Sequence, residues 1–515
     1  MDPGELAEHV PRDALVYAEA VARPGEDLSD ALQKSVEAVG AKRGDLDEVG
    51  PDLLKEIVHE ALELPAEDVD YEDDVKSWLG RRAAGFVALP PGALPLAEAR
   101  GRGGPLPANT FRAAAVLAVS DEDEAREALE RILPGQDTSE DEGGADLHYE
   151  DEGVAIALAG DRLFVGNPAG VEAALETEAD DALRGRDWFR AGLDTVDERA
   201  SLGFALIETR QFYRLSLAVE GGKQGQALTH AGLLRRSGLD ADVPTGLELL
   251  ATDRGPAVEI SYGLTRRPRL RQARALVERL PADSWAAFGD PVLVPLYLDS
   301  FAVGVEVGIE EEAGRQLSRR RLRRVVINAL GYDVLAALDS LRGPGALYAR
   351  GRHAADAAGG LVIAGARSSD PAAQPIDAAR FVIASFLPRG GVPFGRPPGA
   401  PEPRLSTDIP RLPTPLSAIQ RDGSLEVFLG SDPATARRRE AIGDTDRLAR
   451  VANRLGEAWE PLGDLDVARL VRFVEGVTGD ETDPPGALSK ATVDVGGRFE
   501  DGIFTLRFQL SAPED

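Results

Sequence analysis

The chain has 515 residues, 88 acidic against 58 basic, and a formal net charge of −30. At 43% hydrophobic and 28% charged its composition is that of an ordinary globular protein, which excludes a disordered chain, a collagen and a coiled-coil rod. The acidic balance argues against a nucleic-acid partner, since neutralising phosphates needs a basic face, and the absence of cysteine removes disulfides, thiolate metal sites and cysteine nucleophiles.

An apolar-Pro-x-Asp turn, Val10-Pro11-Arg12-Asp13, opens the chain and feeds a short strand through Tyr17. Residues 31–39 and 52–62 carry apolar side chains at helical spacing. Trp78-Leu79-Gly80 precedes a strand over 83–89, and a glycine there suits the left-handed position that ends a helix. A strand over 111–119 leads to Ser120-Asp121, which caps a helix reaching Ile132; Glu122, Asp123 and Glu124 sit at its positive end. After an acidic stretch at 136–146 comes a hairpin, 154–158 and 163–165, turning at Ala159-Gly160-Asp161. Gly166-Asn167-Pro168 then starts a helix. A second hairpin, 247–252 with 257–264, closes this half.

The same landmarks return in the same order. Leu280-Pro281-Ala282-Asp283 opens the second series, with helical patterns over 292–303 and 315–330. Leu341-Arg342-Gly343 precedes a strand over 346–349, and Ser369-Asp370-Pro371 follows the strand 361–364 and begins a helix ending near Ile383. A hairpin, 416–419 and 425–429, turns at Arg421-Asp422-Gly423 and runs into Gly430-Ser431-Asp432-Pro433. The strands 491–495 and 503–510 pair last. We read this as an internal duplication, with lobes at 1–264 and 265–515. The expected fold is α+β: two tandem, duplicated lobes, each a mainly antiparallel sheet with helices packed over one face. The second lobe carries a Pro/Gly-rich excursion at 388–415, expected to run extended over the surface. Residues 292–309 form the most apolar stretch, but Pro295, Asp299 and Glu306 interrupt it, so it reads as buried core and not as a membrane span.

Three of these landmarks together resemble a known family. They are the opening Val10-Pro11-Arg12-Asp13-Ala14-Leu15-Val16-Tyr17, the Asp74…Trp78-Leu79-Gly80-Arg81-Arg82 punctuation, and the hairpin Gly160-Asp161-Arg162-Leu163-Phe164-Val165-Gly166. The family is one of uncharacterised bacterial domains, found largely in actinobacteria and usually carried behind a signal or single membrane anchor. The resemblance covers nearly the whole chain and implies an extracellular or cell-envelope location. It carries over no catalytic residue. Met1 is the only methionine and no leader follows it; the expectation is that a native leader or anchor is absent from this chain.

Motifs for chemistry are missing. The five histidines, His9, His59, His148, His230 and His353, include no i, i+4 pair of the kind a helical zinc site uses. There is no Gly-x-Ser-x-Gly elbow, no phosphate-binding P-loop and no Gly-x-Gly-x-x-Gly after a strand. Asp137–Gly143 has its glycine one place too late for a calcium loop. Paired carboxylates remain open, because an acid pair requires no sequence spacing. Two basic clusters stand out: Arg266, Arg267, Arg269, Arg271 and Arg274, and then Arg315, Arg319, Arg320, Arg321, Arg323 and Arg324. On a helix the second cluster places Arg315, Arg319 and Arg323 on one solvated face, with Leu317, Val325 and Ile327 inward or flanking. Its functional reading is an anionic-partner surface formed by Arg315, Arg319, Arg320, Arg323 and Arg324. Trp78, Trp188, Trp285 and Trp459 read as core anchors.

These observations lead to the expectation of a non-enzymatic, envelope-exposed binding or structural module without cofactor or metal. The alternatives are a carrier of an apolar or lipid-like ligand between the lobes and an acid-pair hydrolase.

Overall fold

The computed structural model describes residues 3–40, 75–90, 111–132, 147–151, 153–220, 238–313, 317–351, 357–365, 374–386, 404–407, 415–421, 424–430, 440–478 and 491–512. The fold is α+β with antiparallel strand pairing throughout each of two compact units. The first unit comprises Met1–Lys223 with Ala241–Gly263; the second comprises Gln224–Asp240 with Leu264–Asp515.

In the first unit the strands are β1 (Ala14–Val21), β2 (Leu79–Ala88), β3 (Arg112–Val119), β4 (Leu147–Asp151), β5 (Val154–Ala159), β6 (Arg162–Gly166), β7 (Ser201–Ile207), β8 (Thr245–Thr252) and β9 (Gly255–Gly263). They pair in the order β4-β5-β6-β3-β2-β1-β7-β8-β9. The described helices are α1 (Glu26–Ala38), α2 (Glu122–Ile132), α3 (Pro168–Leu175), α4 (Asp187–Leu193) and α5 (Thr209–Glu220). The capping signals act as the sequence suggests. The Asp121 carboxylate accepts from Glu124 N at 3.1 Å, and Asn167 Oδ1 accepts from Gly170 N at 2.7 Å with Pro168 in the first turn.

Helices cover both faces of this sheet, not the one face expected. Successive residues of a strand point to opposite faces. On β5, Ala155 and Ala157 join the cluster containing Val171 of α3 and Phe189 of α4. Ile156 and Leu158 join the cluster containing Ala125 and Leu129 of α2. The run Val-Ala-Ile-Ala-Leu-Ala is apolar at every position because neither face meets water.

In the second unit the strands are β10 (Ala286–Asp290), β11 (Gly345–Arg350), β12 (Ala358–Ala364), β13 (Arg404–Thr407), β14 (Leu416–Arg421), β15 (Ser424–Leu429), β16 (Glu460–Asp466), β17 (Thr492–Glu500) and β18 (Ile503–Ser511). Their order is β13-β14-β15-β12-β11-β10-β16-β17-β18. The described helices are α6 (Leu270–Val277), α7 (Leu293–Ala313), α8 (Arg319–Leu330), α9 (Val334–Ser340), α10 (Pro375–Phe386), α11 (Arg447–Leu455) and α12 (Val467–Thr478). Here too both faces are covered: Ile363 packs with α7 to α10, while its neighbours Val362 and Ala364 pack with α6 and α11.

Several local expectations are corrected. Gly80 and Gly343 do not end helices in a left-handed conformation, since neither has a positive φ. Gly80 lies in β2, and a Cβ there would stand 2.7 Å from the Ala118 carbonyl oxygen; at Gly343 it would stand 2.2 Å from that of Ala364. These glycines let two backbones approach. The excursion at 388–415 contains a strand, β13, paired to β14, and the acidic stretch of the first unit is followed by β4, paired to β5. The helix through Pro295 is continuous from Leu293 to Ala313. Proline is tolerated there because the first turn has no intrahelical acceptors to lose. The Asp290 carboxylate instead accepts from Val292 N, Leu293 N and Val294 N at 2.7–2.8 Å. No helix among the described residues is long and apolar enough to cross a membrane. The patterns at 52–62, 136–146 and 369–371 lie outside the described residues.

Gly343→Ala forces a methyl into backbone that has no rotamer with which to yield. It is expected to cost about 1–3 kcal/mol, read as a lower Tm by scanning calorimetry; an unchanged Tm contradicts the close approach.

Candidate functional site

The basic cluster divides by function once its helix is in place. Arg315 lies outside the described residues. Arg319 Nη2 donates to Asp339 Oδ2 at 2.5 Å, and Arg323 Nε donates to Asp333. Asp333 is fully buried and caps α9, its Oδ1 accepting from Ala336 N at 3.1 Å. Two members of the expected surface therefore clamp α8 to α9. Arg320, Arg321 and Arg324 remain exposed. The inward side chains of α8 are Leu322 and Val326; Val325 and Ile327, expected inward or flanking, are exposed. In the other cluster Arg274 bonds Glu278 and Glu460 at 3.1 and 3.2 Å, while Arg266, Arg267, Arg269 and Arg271 are exposed.

No group of three or more His, Asp or Glu side chains suited to a metal occurs among the described residues. His9 stands edge-on to Phe164 at 6.0 Å; burial, and then the charge of Arg162, lowers its pKa. His59, His230 and His353 lie outside the described residues. The four tryptophans are each less than a tenth exposed.

A concave site that the sequence did not announce lies within the first unit. Two cavities of about 350 and 420 Å³ share Arg12, Arg186 and Glu208 in their walls, so they form one cleft. Backbone bonds assemble it at one end of the sheet. The turn before β1 is held to the segment before α4: Leu183 N donates to Val10 O at 2.8 Å, and Arg12 N donates to Asp181 O at 3.1 Å. The start of α5 is held to β1 by Glu208 N donating to Leu15 O at 2.8 Å. Thr209 Oγ1 donates to Val243 O at 3.0 Å and so fixes the 241–244 wall.

The cleft is lined by alternating guanidinium and carboxylate groups. Arg210 Nη2 bonds Asp242 Oδ1 at 2.5 Å, and Arg12 and Arg186 stand 3.9 and 4.0 Å from Asp181 and Glu208. Burial raises the pKa of Glu208 against the opposing charge of Arg186, and burial raises that of Asp13 against Arg112. Two donors of lining residues, Trp188 Nε1 and Arg186 Nε, are buried with no acceptor among the described residues. The lining residues come from stretches far apart in the chain with no shared spacing, so the sequence carried no signal for them.

A scan against protein-family models matches none, and searches of curated proteins and of solved structures return no significant match.

Buried carboxylates outside the cleft belong to the fold. Glu19 receives Tyr17 OH, Arg82 and, at 3.0 Å, Gly4 N. Glu248 of β8 faces Glu259 of β9, and burial lifts its pKa to about 7 even though Asp197 N donates to it at 2.8 Å. With the folded value above the unfolded one, the folded state binds the extra proton between about pH 4.5 and 7. Stability is therefore full below that window and falls as pH rises through it, by about 3 kcal/mol. Glu248→Gln is expected to flatten this slope in urea denaturation run at pH 5 and pH 7.5; parallel profiles for variant and parent contradict it.

Proposed function

We propose that the chain is a non-enzymatic, envelope-exposed binding module made of two copies of one α+β unit, with the cleft of the first unit as its ligand site. The duplication is supported by the strand order, which recurs pairing for pairing across nine strands. It is supported again by detail. The bridge Pro11 to Ala182 has its counterpart in Pro281 to Ala441. The bonds Leu183 N to Val10 O and Glu208 N to Leu15 O have theirs in Ile442 N to Leu280 O and Asp466 N to Trp285 O. The envelope location is supported by the family resemblance of the opening turn and the Gly160–Gly166 hairpin.

The observation that carries the ligand reading is the chemistry of the cleft wall. Guanidinium donors and carboxylate acceptors alternate around a volume in the range of small-molecule sites, about 300–1,000 Å³. Such a wall matches a hydroxyl-rich ligand such as a short saccharide, which offers donors and acceptors together. It does not match an apolar guest, whose burial would strand these charges without compensation. A second reading has one specific support. Asp13 and Glu208 both line the cleft and both are held toward the protonated form by burial, as a general acid requires.

Screening the purified protein against soluble saccharides by calorimetry, alongside chromogenic glycosides, separates these readings. Binding without turnover is expected, weakened about tenfold or more by Arg186→Ala, the loss of a charged hydrogen bond. Turnover abolished by Glu208→Gln selects the hydrolase. A co-purifying lipid in native mass spectrometry, with no saccharide bound, contradicts both.

A further inference from the structure

The exposed side of α8 has a composition that helix stability alone does not explain. Its first turn reads Arg319-Arg320-Arg321, at the end of the helix where the backbone dipole is positive. No acidic residue occupies that turn, and the Ser318 side chain makes no capping bond. Arg319 is answered by Asp339, but Arg320 and Arg321 stand exposed, working against the helix that carries them. A local rule broken without compensation among the described residues marks a place where something besides folding sets the sequence.

The arrangement around the helix indicates what that is. With Leu322 and Val326 inward, a turn of roughly 100° per residue puts Arg320, Arg324, Asn328 and Arg321 across the outward arc. Ile327 and Val325 fall at its two margins, 36% and 43% exposed. Three arginines whose guanidiniums face solvent are thus bordered by two exposed branched apolar side chains, on a chain whose net charge is −30. A soluble polyanion has no use for the apolar margin. An anionic lipid surface uses both parts: its phosphates pair with the arginines, and its acyl boundary receives the branched side chains.

We propose that the outward face of α8 is a peripheral docking surface for an anionic phospholipid bilayer. It lies in the second unit and is independent of what the cleft of the first unit binds. Arg319 and Arg323 are positioning residues: by bonding Asp339 and Asp333 they fix the roll of α8 on α9, which keeps the other arginines outward.

The test is co-sedimentation of the whole chain with vesicles of phosphatidylcholine alone and with phosphatidylcholine containing phosphatidylglycerol. Binding is expected only to the second kind, falling as salt is raised. Each of Arg320→Gln, Arg321→Gln and Arg324→Gln should weaken it about fivefold. The double variant Val325→Ser, Ile327→Ser should weaken vesicle binding while leaving heparin binding unchanged. Arg186→Ala in the cleft should leave vesicle binding intact, which separates failure here from failure of the ligand reading. The proposal is overturned by equal binding to both vesicle types or to neither. It is also overturned by arginine variants of unchanged circular dichroism that bind as the parent does, or by heparin binding with no vesicle binding.

Discussion

The architecture of the first unit depends on a backbone clasp. Strand β1 is central, flanked by β2 and β7. The turn that leads into it is fastened to residues 181–183 by a reciprocal pair of bonds, and its first residues hold the entry to α5. Proline at position 11 has no N–H to offer, so the bonds are made by Arg12 N and Val10 O on either side of it. Because the clasp is main chain, the side chains at the same places are free to face the cleft. That is why Arg12, Asp13, Arg186 and Glu208 converge although they are far apart in sequence. The second unit holds Leu280-Pro281 to Ala441-Ile442 by the same bonds, with Ala282 where the first has Arg12. The backbone bonds match, and the side chains beside them differ.

Several deeply buried carboxylates are answered by arginine or by backbone donors. Asp494, with no exposed surface, accepts from Arg454 Nε and Nη2, each at 2.6 Å, and from the Ser511 hydroxyl at 2.7 Å. Asp464 receives Arg447 at 2.7 Å, although burial still raises its pKa. Asp299 meets Arg342 at 3.1 Å. Arginine suits this work because its planar fork satisfies two carboxylate oxygens at once. Removing one partner of such a pair is costly, about 3–5 kcal/mol, because the other charge is left stranded. The Arg454 and Arg447 pairs fix α11 to β17 and β16 in a chain that has no disulfides.

What the sequence disclosed and what it hid divide along a physical line. Local signals were legible. Asp121 and Asn167 cap helices through bonds to residues three positions on, and the hairpin at Gly160 turns where φ becomes positive. The strand pairs β8–β9 and β17–β18 follow from the same local chemistry. Features set by distant partners were hidden. Gly80 and Gly343 look like helix ends until Ala118 and Ala364 are seen against them. Strand β13 sits in a stretch whose composition reads as loop, and β4 follows one; they are strands because β14 and β5 offer an open edge. For Val325 and Ile327 the sequence left inward and flanking positions open, and α9, packed on the Leu322 and Val326 side, leaves them at the exposed margins. The cleft is hidden for the same reason, since only the clasp brings its walls together.

Amide hydrogen exchange measures that clasp directly. If it organises the first unit, the amides of Arg12, Leu183 and Glu208 exchange only with global unfolding, alongside those in the middle of β1. Exchange of these three at the rate of surface turns, while β1 stays protected, would contradict the account.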